Sequence, residues 1–345
     1  MLRFHFTAED LTRIRVAKAP DPLWEIAFSL HRLQTRDGRW AYAHWHRTTR
    51  IRLRESGLAA AVQGFLLPLF PRARYFPDFL TPAEGAEGLD AGLDAMLATP
   101  RKQVIAEAAT LAGSVGAPSW VSRLADNDMR DQLVRALRAY HRAVIAPYEE
   151  HIGERVQAER IRHARSLLDH GTAELISSLA PTIRWRHPVL EIAPYPEERD
   201  VHLNGRGLLL IPSYFCWQTP ISLADPGLPT VIAYPLQPDP VPTSAGRGQP
   251  LTVLLGRSRA GILRATITGA TTTEAARHAG VSPATATHHT TALRNTGLIN
   301  SDRWANTVLH TLTPLGAALL TGAQPDRPSG AHATLNTPPN ANHPS

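Results

Sequence analysis

The chain has 345 residues, of which 43% are hydrophobic and 19% charged, and its formal net charge is +6. This length predicts more than one domain, and the basic balance suits a polyanionic partner, although an arginine-, alanine- and proline-rich composition can give such a charge by itself. The single cysteine, Cys216, excludes an internal disulfide and a cysteine-rich zinc site. With neither a signal-peptide pattern nor a membrane-length apolar run, we expect no membrane association and a cytoplasmic location.

Helical periodicity dominates the first half of the chain. Alternating apolar residues at positions 2–6 predict a short strand, and a capping-box pattern at residues 7–10 predicts a helix that reaches Ala17. Apolar residues at helical spacing over residues 23–33 predict a core helix.

A long amphipathic helix is predicted over residues 126–170, which Pro147 either kinks or restarts and Gly171 ends. Four arginines in its second part could contact phosphates, but a solvated helix face is the favoured interpretation. They are Arg155, Arg160, Arg162 and Arg165.

Two other features of this half have a structural interpretation that we favour. His44 and His46 point apart on a helix, so they are not expected to bind a metal together. The aromatic, proline-containing segment 57–80 could line a small-molecule pocket, but no polar residues converge on it in the sequence. Ordinary core is therefore the favoured interpretation of this segment.

After Pro181 the periodicity changes from helical to alternating. This region predicts strands at residues 183–186, 189–192, 201–203, 207–211 and 230–234. Between the third and fourth of these, Asn204-Gly205 has the composition of a tight hairpin turn. The sequence therefore predicts a small antiparallel sheet within residues 182–236.

A helix-turn-helix is predicted near the C-terminus. Residues 272–279 predict the first helix, Gly280 a left-handed stop, and Ser282 followed by Pro283 the start of a second helix. Small or buried residues are expected where the two helices cross, at Ala276, Gly280, Val281, Ala286 and His289. A polar hairpin tip at residues 300–306 and a strand at residues 307–312 follow.

The outward face of the second helix carries short polar groups, which can reach phosphates and base edges in a major groove. Arg303 is expected at the edge of a wing. Six arginines against two acidic residues between positions 256 and 320 predict a positively charged domain. The candidate DNA contacts are Ser282, Ala284, Thr285, Thr287, His288, Thr291, Arg294 and Arg303.

Residues 281–299, VSPATATHHTTALRNTGLI, closely resemble the ArsR-type winged-helix signature V-S-x-x-T-x-S-H-H-x-x-x-L-R-x-x-G-L-[VI]. The stretches GRSRAGILRATITGATTTEAARHAG and VLHTLTPLGAALL on either side resemble an actinobacterial subgroup of these regulators with a long N-terminal domain. GRGLLLIPSYF and DPLWEIAFSLHRL, nearer the N-terminus, resemble subgroup signatures as well. The resemblance covers most of residues 1–320 and implies a DNA-binding winged helix-turn-helix.

Metal-sensing members of the ArsR family carry a Cys-x-Cys pair on the helix before the turn, or Asp and His ligands on the last helix. The stretches that resemble those helices, residues 273–279 and 314–320, contain no cysteine and no carboxylate pair. We therefore expect neither a metal nor another cofactor. The wing tip, which is Arg-Asp-Gly-like in the family, reads Arg303-Trp304-Ala305-Asn306.

The predicted fold is mainly α with small antiparallel β elements, an α+β fold. The expected parts are a regulatory or dimerisation domain at residues 1–240 (helical over 7–170), a linker at 241–251, a winged helix-turn-helix at 252–321 and a disordered tail at 322–345.

The predicted function is a sequence-specific DNA-binding transcriptional regulator, a repressor controlled by a ligand or a partner. Its expected partners are double-stranded DNA, a second copy in a homodimer and a small-molecule effector. The alternative is a winged-helix module that contacts proteins without specific DNA binding. An enzyme is disfavoured and no catalytic residue is predicted, because the sequence has no G-x-S-x-G, H-E-x-x-H or glycine fingerprint.

Overall fold

The computed structural model describes residues 1–72, 75–236, 251–304 and 307–321. The chain divides into two compact units, Met1–Pro238 and Asp239–Ser345. Helices predominate and the sheets are small, so the fold class is α+β, as predicted. Apart from Leu251, the predicted linker at 241–251 lies outside the described residues, and so does the predicted tail at 322–345.

The first unit combines two small sheets with a layer of helices. Its strands are β1 (Leu2–His5), β2 (Ile14–Val16), β3 (Ile183–Arg186), β4 (Val189–Ile192), β5 (Arg199–His202), β6 (Leu208–Ser213) and β7 (Val231–Pro235). Its α-helices are α1 (Ala8–Thr12), α2 (Pro22–Leu33), α3 (Ala43–Glu55), α4 (Ala59–Ala61), α5 (Leu67–Leu69), α6 (Leu89–Ala98), α7 (Arg101–Val115), α8 (Asn127–Tyr140) and α9 (Glu149–Ser177).

The first sheet has the strand order β3-β4-β1-β5. Leu2 on β1 lies opposite Ile192 of the antiparallel β4 and opposite Arg199 of the parallel β5. Leu2 and Phe4 are fully buried, so the alternation predicted at the N-terminus is confirmed. This sheet fixes the first residues of the chain against strands that come about 190 residues later.

The second sheet, in the order β2-β6-β7, is entirely parallel. It corrects two predictions. The helix that starts from the capping box ends at Thr12 and does not reach Ala17, because the chain enters β2 at Ile14. The β elements are also not purely antiparallel: Ile14 pairs in parallel with Leu208, and a parallel pair needs a long crossover, which the helical layer provides.

Asn204 and Gly205 form a tight turn with φ angles of 52° and 82°, but the turn does not make a hairpin. It joins β5 of the first sheet to β6 of the second, so the predicted pairing of residues 201–203 with 207–211 is wrong. Contacts from Asp10 on α1 and from Arg13, the residue after this helix, hold the turn instead. The Asp10 carboxylate accepts a hydrogen bond from the Gly207 N–H at 2.9 Å, and Arg13 donates to the Gly205 carbonyl at 2.5 Å.

The predicted core helix is confirmed as α2. Asp21 caps it by accepting hydrogen bonds from the N–H groups of Leu23 and Trp24, at 2.9 and 3.2 Å, and Pro22 occupies its first turn. Its side chains from Leu23 to Arg32 are buried.

The long helix predicted after residue 126 is interrupted. α8 ends at Tyr140, a π turn and a 3-10 turn containing Pro147 follow, and α9 begins at Glu149. Pro147 therefore restarts the helix. Gly171, with a φ of 82°, breaks α9 where an end was predicted, but a further helical segment continues to Ser177.

The second unit comprises helices and one three-stranded sheet. In chain order its elements are α10 (Leu251–Leu255), α11 (Arg257–Ala265), β8 (Ala270–Thr271), α12 (Thr272–Ala279), α13 (Pro283–Asn295), β9 (Ile299–Trp304), β10 (Thr307–Leu312) and α14 (Pro314–Thr321). The sheet order is β8-β10-β9, with both pairs antiparallel.

Two details of this sheet differ from the prediction. β9 runs from Ile299 to Trp304, so most of the segment predicted as a hairpin tip is strand. β10 does not alternate, because its last four residues, 309–312, are all buried. Both α12 and α14 contact β10, so neither face of this strand is open to solvent at residues 309–312.

Candidate nucleic-acid interface

A reciprocal capping box starts α12. The Thr271 hydroxyl oxygen accepts a hydrogen bond from the Glu274 N–H at 3.3 Å, and the Glu274 carboxylate accepts one from the Thr271 N–H at 2.7 Å. The helix therefore begins with Thr272, and Glu274 lies in its first turn, where the helix dipole favours an acid.

The turn between α12 and α13 has the predicted geometry. Gly280 adopts a left-handed conformation, with φ 64° and ψ 37°, and the Val281 N–H donates to the Ala276 carbonyl at 3.0 Å. Ser282 then caps α13 by accepting a hydrogen bond from the Thr285 N–H at 3.2 Å, with Pro283 at the first helical position. Two helices thus follow each other across a short, fully capped turn.

The inward face of this helix pair is made of small residues. Ala276 on α12 and Ala286 on α13 are buried, as expected, whereas Gly280 is exposed and Val281 and His289 are only half-buried. Burial still lowers the pKa of His289.

The opposite face of α13 is exposed and polar. The hydroxyl group of Thr287 donates to the Pro283 carbonyl at 2.9 Å, which leaves its oxygen free to accept a further hydrogen bond. His288 lies beside it, with its ring edge-on to His289. All eight predicted DNA contacts are exposed: Ser282, Ala284, Thr285, Thr287, His288, Thr291, Arg294 and Arg303.

Exposed arginines outnumber acidic residues between positions 256 and 320. None of the six arginines between residues 256 and 320, all exposed, forms an ion pair with an acidic residue in the part of the chain that the structure describes. Of the two acidic residues in the same range, Glu274 is engaged in the α12 cap. Arg303 lies on β9 opposite Val308, whereas the predicted tip residues Ala305 and Asn306 lie outside the described residues. The arginines are Arg257, Arg259, Arg264, Arg277, Arg294 and Arg303.

One residue that sequence reasoning missed, His310, connects the helices to the sheet. It is buried on β10, and its Nε2 and Nδ1 atoms lie 2.9 Å from the Thr272 hydroxyl and 2.8 Å from the Ser301 hydroxyl. Burial, with a smaller contribution from Arg294, lowers the pKa of this imidazole. Through these two contacts His310 fixes the start of α12 relative to β9. The only signal in the sequence was a lone histidine inside an apolar strand.

Among the described residues, no group of three or more His, Cys, Asp and Glu side chains is placed to hold a metal ion. Within the same residues, no helix has both the length and the apolar character needed to cross a bilayer.

Comparisons of the chain with protein-family models, with curated proteins and with solved structures give no match.

Proposed function

We propose that the second unit is an ArsR-type winged helix-turn-helix and that the protein is a sequence-specific DNA-binding regulator, acting as a repressor. The observation that carries this proposal is the exposed polar face of α13, displayed on a capped helix pair in a unit whose exposed arginines form no ion pair among the described residues. A recognition helix of this kind enters the major groove and brings its N-terminal residues to base edges. The antiparallel pair β9 and β10 takes the place of the wing.

The residues of the interface divide into two roles. Thr287 and His288, one turn into α13, are assigned to base edges, and the free acceptor of Thr287 suits the amino group of adenine or cytosine. The N-terminus of α13 at Ser282, with Arg294 and Arg303, is assigned to phosphates. Because one recognition helix reads only a few base pairs, a homodimer on a paired site supplies the required selectivity.

The proposal is tested by selecting bound duplexes from a random pool with the full chain. Thr287→Ala combined with His288→Ala should then weaken binding to the selected duplex by about 10- to 100-fold, as expected from one or two lost base contacts. Affinity for a scrambled duplex should change far less, and fluorescence anisotropy measures both. Thr110→Ala with His170→Ala, two exposed residues of the same types in the first unit, is the matched control.

If the pool yields no preferred sequence, the protein-interaction alternative replaces this function. If one emerges but the double variant loses both affinities equally, Thr287 and His288 are not base-reading residues.

Arg303→Ala is expected to act differently, because a phosphate contact carries no sequence information. Both duplexes should be bound more weakly by a similar factor. The slope of log K against log salt concentration should become shallower by about 1, the value for one neutralised phosphate. Titrations at four salt concentrations measure this slope, with Arg184→Ala on the first unit as the control. An unchanged slope removes Arg303 from the interface.

A further inference from the structure

A cavity of about 350 Å³ lies within the first unit, lined by residues from the start of α2, the segment 78–86, the junction of α6 and α7, and the strands β6 and β7. Small-molecule sites have volumes of roughly 300–1,000 Å³. Most of the lining is apolar, and Phe79 belongs to the segment for which ordinary core was the favoured interpretation. The large apolar side chains of the lining are Trp24, Phe79, Leu209, Ile211, Leu223 and Val231.

The charged residues of this lining are all acidic. Asp21, Asp78 and Glu84 carry carboxylates, and no lysine, arginine or histidine of the described chain lines the cavity. Glu84 is exposed, whereas Asp21 and Asp78 are buried. A molecule that enters this cavity therefore meets negative charge, which favours a cation.

The carboxylate of Asp78 already has partners within the protein. Its two oxygens accept hydrogen bonds from the backbone N–H groups of Ala224 and Asp225, at 2.7 to 3.0 Å. Burial raises the pKa of Asp78, and these hydrogen bonds and the charge of Arg199 oppose that shift. Asp78 is therefore not assigned to a ligand.

The carboxylate of Asp21 is only half engaged. The residue is 2% exposed, and its Oδ1 accepts the N–H groups of Leu23 and Trp24 at the start of α2. Its Oδ2 accepts no hydrogen bond from the described residues and is not sealed inside the protein, so it is open to the cavity that Asp21 lines. Gly85 makes room for this carboxylate, because a Cβ atom there would lie 2.8 and 2.9 Å from its two oxygens.

The charge of Asp21 has no counterion among the described residues. Burial raises the pKa of this carboxyl group to about 6, and only the two backbone N–H groups oppose the shift. At about pH 8 Asp21 is therefore ionised although it is buried, and an unpaired buried charge is costly. A cationic ligand would relieve this cost.

The neutral polar side chains of the lining also suit a ligand that donates hydrogen bonds. Thr99 donates its hydroxyl proton to the Ala95 carbonyl at 3.1 Å, so it can offer a ligand only its oxygen. Gln103 donates its amide N–H to the Glu107 carboxylate at 2.8 Å, which leaves its carbonyl oxygen as an acceptor. A primary ammonium group, with three N–H donors and no acceptor, complements such a lining.

We propose that this cavity binds a primary ammonium ion with a compact apolar body, the ammonium group on Oδ2 of Asp21 and the body against Trp24 and Phe79. Such binding requires nothing of the second unit. Only its use as a regulatory signal rests on the proposed function.

The test is isothermal titration calorimetry of the full chain at about pH 8, where alkylamines are protonated. The ligands are phenethylamine, hexylamine and cyclohexylmethylamine, each beside the alcohol with the same carbon skeleton. At least one amine should bind about tenfold or more tightly than its alcohol, because only the ammonium ion makes charge-assisted hydrogen bonds with a carboxylate. No DNA is present, so the result does not depend on the function proposed for the second unit. If every amine binds no better than its alcohol, the proposal is overturned without any variant.

Asp21→Asn should abolish the preference for the amine. Asparagine caps a helix about as well as aspartate does, so this variant removes the charge and retains the start of α2. Asp94→Asn, at an exposed carboxylate on α6, is the matched control and should behave as the wild type. Circular-dichroism melting confirms that each variant is folded. A folded Asp21→Asn protein that keeps the full preference for the amine refutes the assignment.

Discussion

Replacing Gly316 by alanine is expected to destabilise the second unit by about 3 kcal/mol, the upper end of what overpacking costs, and to abolish the duplex binding that we propose for this unit. Gly316 is buried on α14, and a Cβ atom there would overlap the backbone carbonyl oxygen of Leu298 and lie 3.1 Å from Leu312. A backbone atom cannot rotate away as a side chain can. Because the Leu298 carbonyl accepts the Thr313 N–H and the Leu298 N–H donates to the Leu293 carbonyl on α13, the displacement reaches α13.

Hydrogen exchange of peptides from residues 283–312, measured by mass spectrometry, reports this loss directly, and anisotropy reports duplex binding. Two other glycines give a graded series of controls. A Cβ at Gly261 would lie 3.1 Å from the Ala279 Cβ, so its alanine variant should have a smaller effect. Gly113 on α7 has open space, so its alanine variant should be neutral or slightly stabilising. Normal exchange protection in Gly316→Ala would show that α14 does not pack as described.

The second large effect is expected at Glu25 on α2. Its carboxylate is buried and accepts the N–H groups of Tyr214 and Phe215, at 2.7 and 3.1 Å, which attaches the segment after β6 to the helical layer. Glu25→Ala leaves two buried N–H groups without acceptors and should lower the free energy of unfolding of the first unit by about 3 kcal/mol. Urea unfolding followed by tryptophan fluorescence measures the change, and a loss below about 1 kcal/mol contradicts it.

The pH dependence gives this prediction a second readout. Burial raises the pKa of Glu25 to about 7 from its ordinary value of 4.5. Because the pKa of Glu25 is higher in the folded than in the unfolded protein, the folded protein binds the proton of this carboxyl group more tightly. Protonation of Glu25 therefore stabilises the fold at low pH, and this stabilisation is lost as the pH rises from about 4.5 through about 7. The glutamine in Glu25→Gln does not titrate. The free energy of unfolding of this variant, relative to that of the wild type, should therefore increase by about 2 kcal/mol between about pH 5 and 8, since one pKa unit corresponds to ~1.4 kcal/mol.

Glu55→Gln, at an exposed carboxylate on α3, is the control. A constant difference between Glu25→Gln and the wild type across this pH range would show that Glu25 is ionised throughout.

The parts of the structure that the sequence predicts correctly depend on nearby residues. The left-handed Gly280, the Ser282 cap and the capping box at Thr7 are determined within about one helical turn, so a single stretch of sequence contains the whole signal. The exposed face of α13 follows from the same local geometry.

The parts that were missed depend on distant residues. The turn at Asn204-Gly205 has hairpin composition, but the Asp10 carboxylate, 197 positions earlier, takes the Gly207 N–H. The cavity draws Asp21, Phe79 and Val231 from three separate stretches, so no local pattern could show that they converge. β2 is three residues long, too short for a periodicity to be recognised.

The pairing of β1 and β2 also determines the order in which a growing chain can fold. Both strands lie within the first 16 residues, yet their partners are β4, β5 and β6, which end at residues 192, 202 and 213. During synthesis on the ribosome, the helices from α2 onward can form local contacts before the partner strands of β1 and β2 have been synthesised. Pairing between strands that are far apart in the sequence is slow. A nascent chain that stalls before residue 183 has β1 and β2 without their partner strands. Leu2 and Phe4 on β1, which are buried in the folded protein, are then exposed, and such an unpaired strand is a template for aggregation.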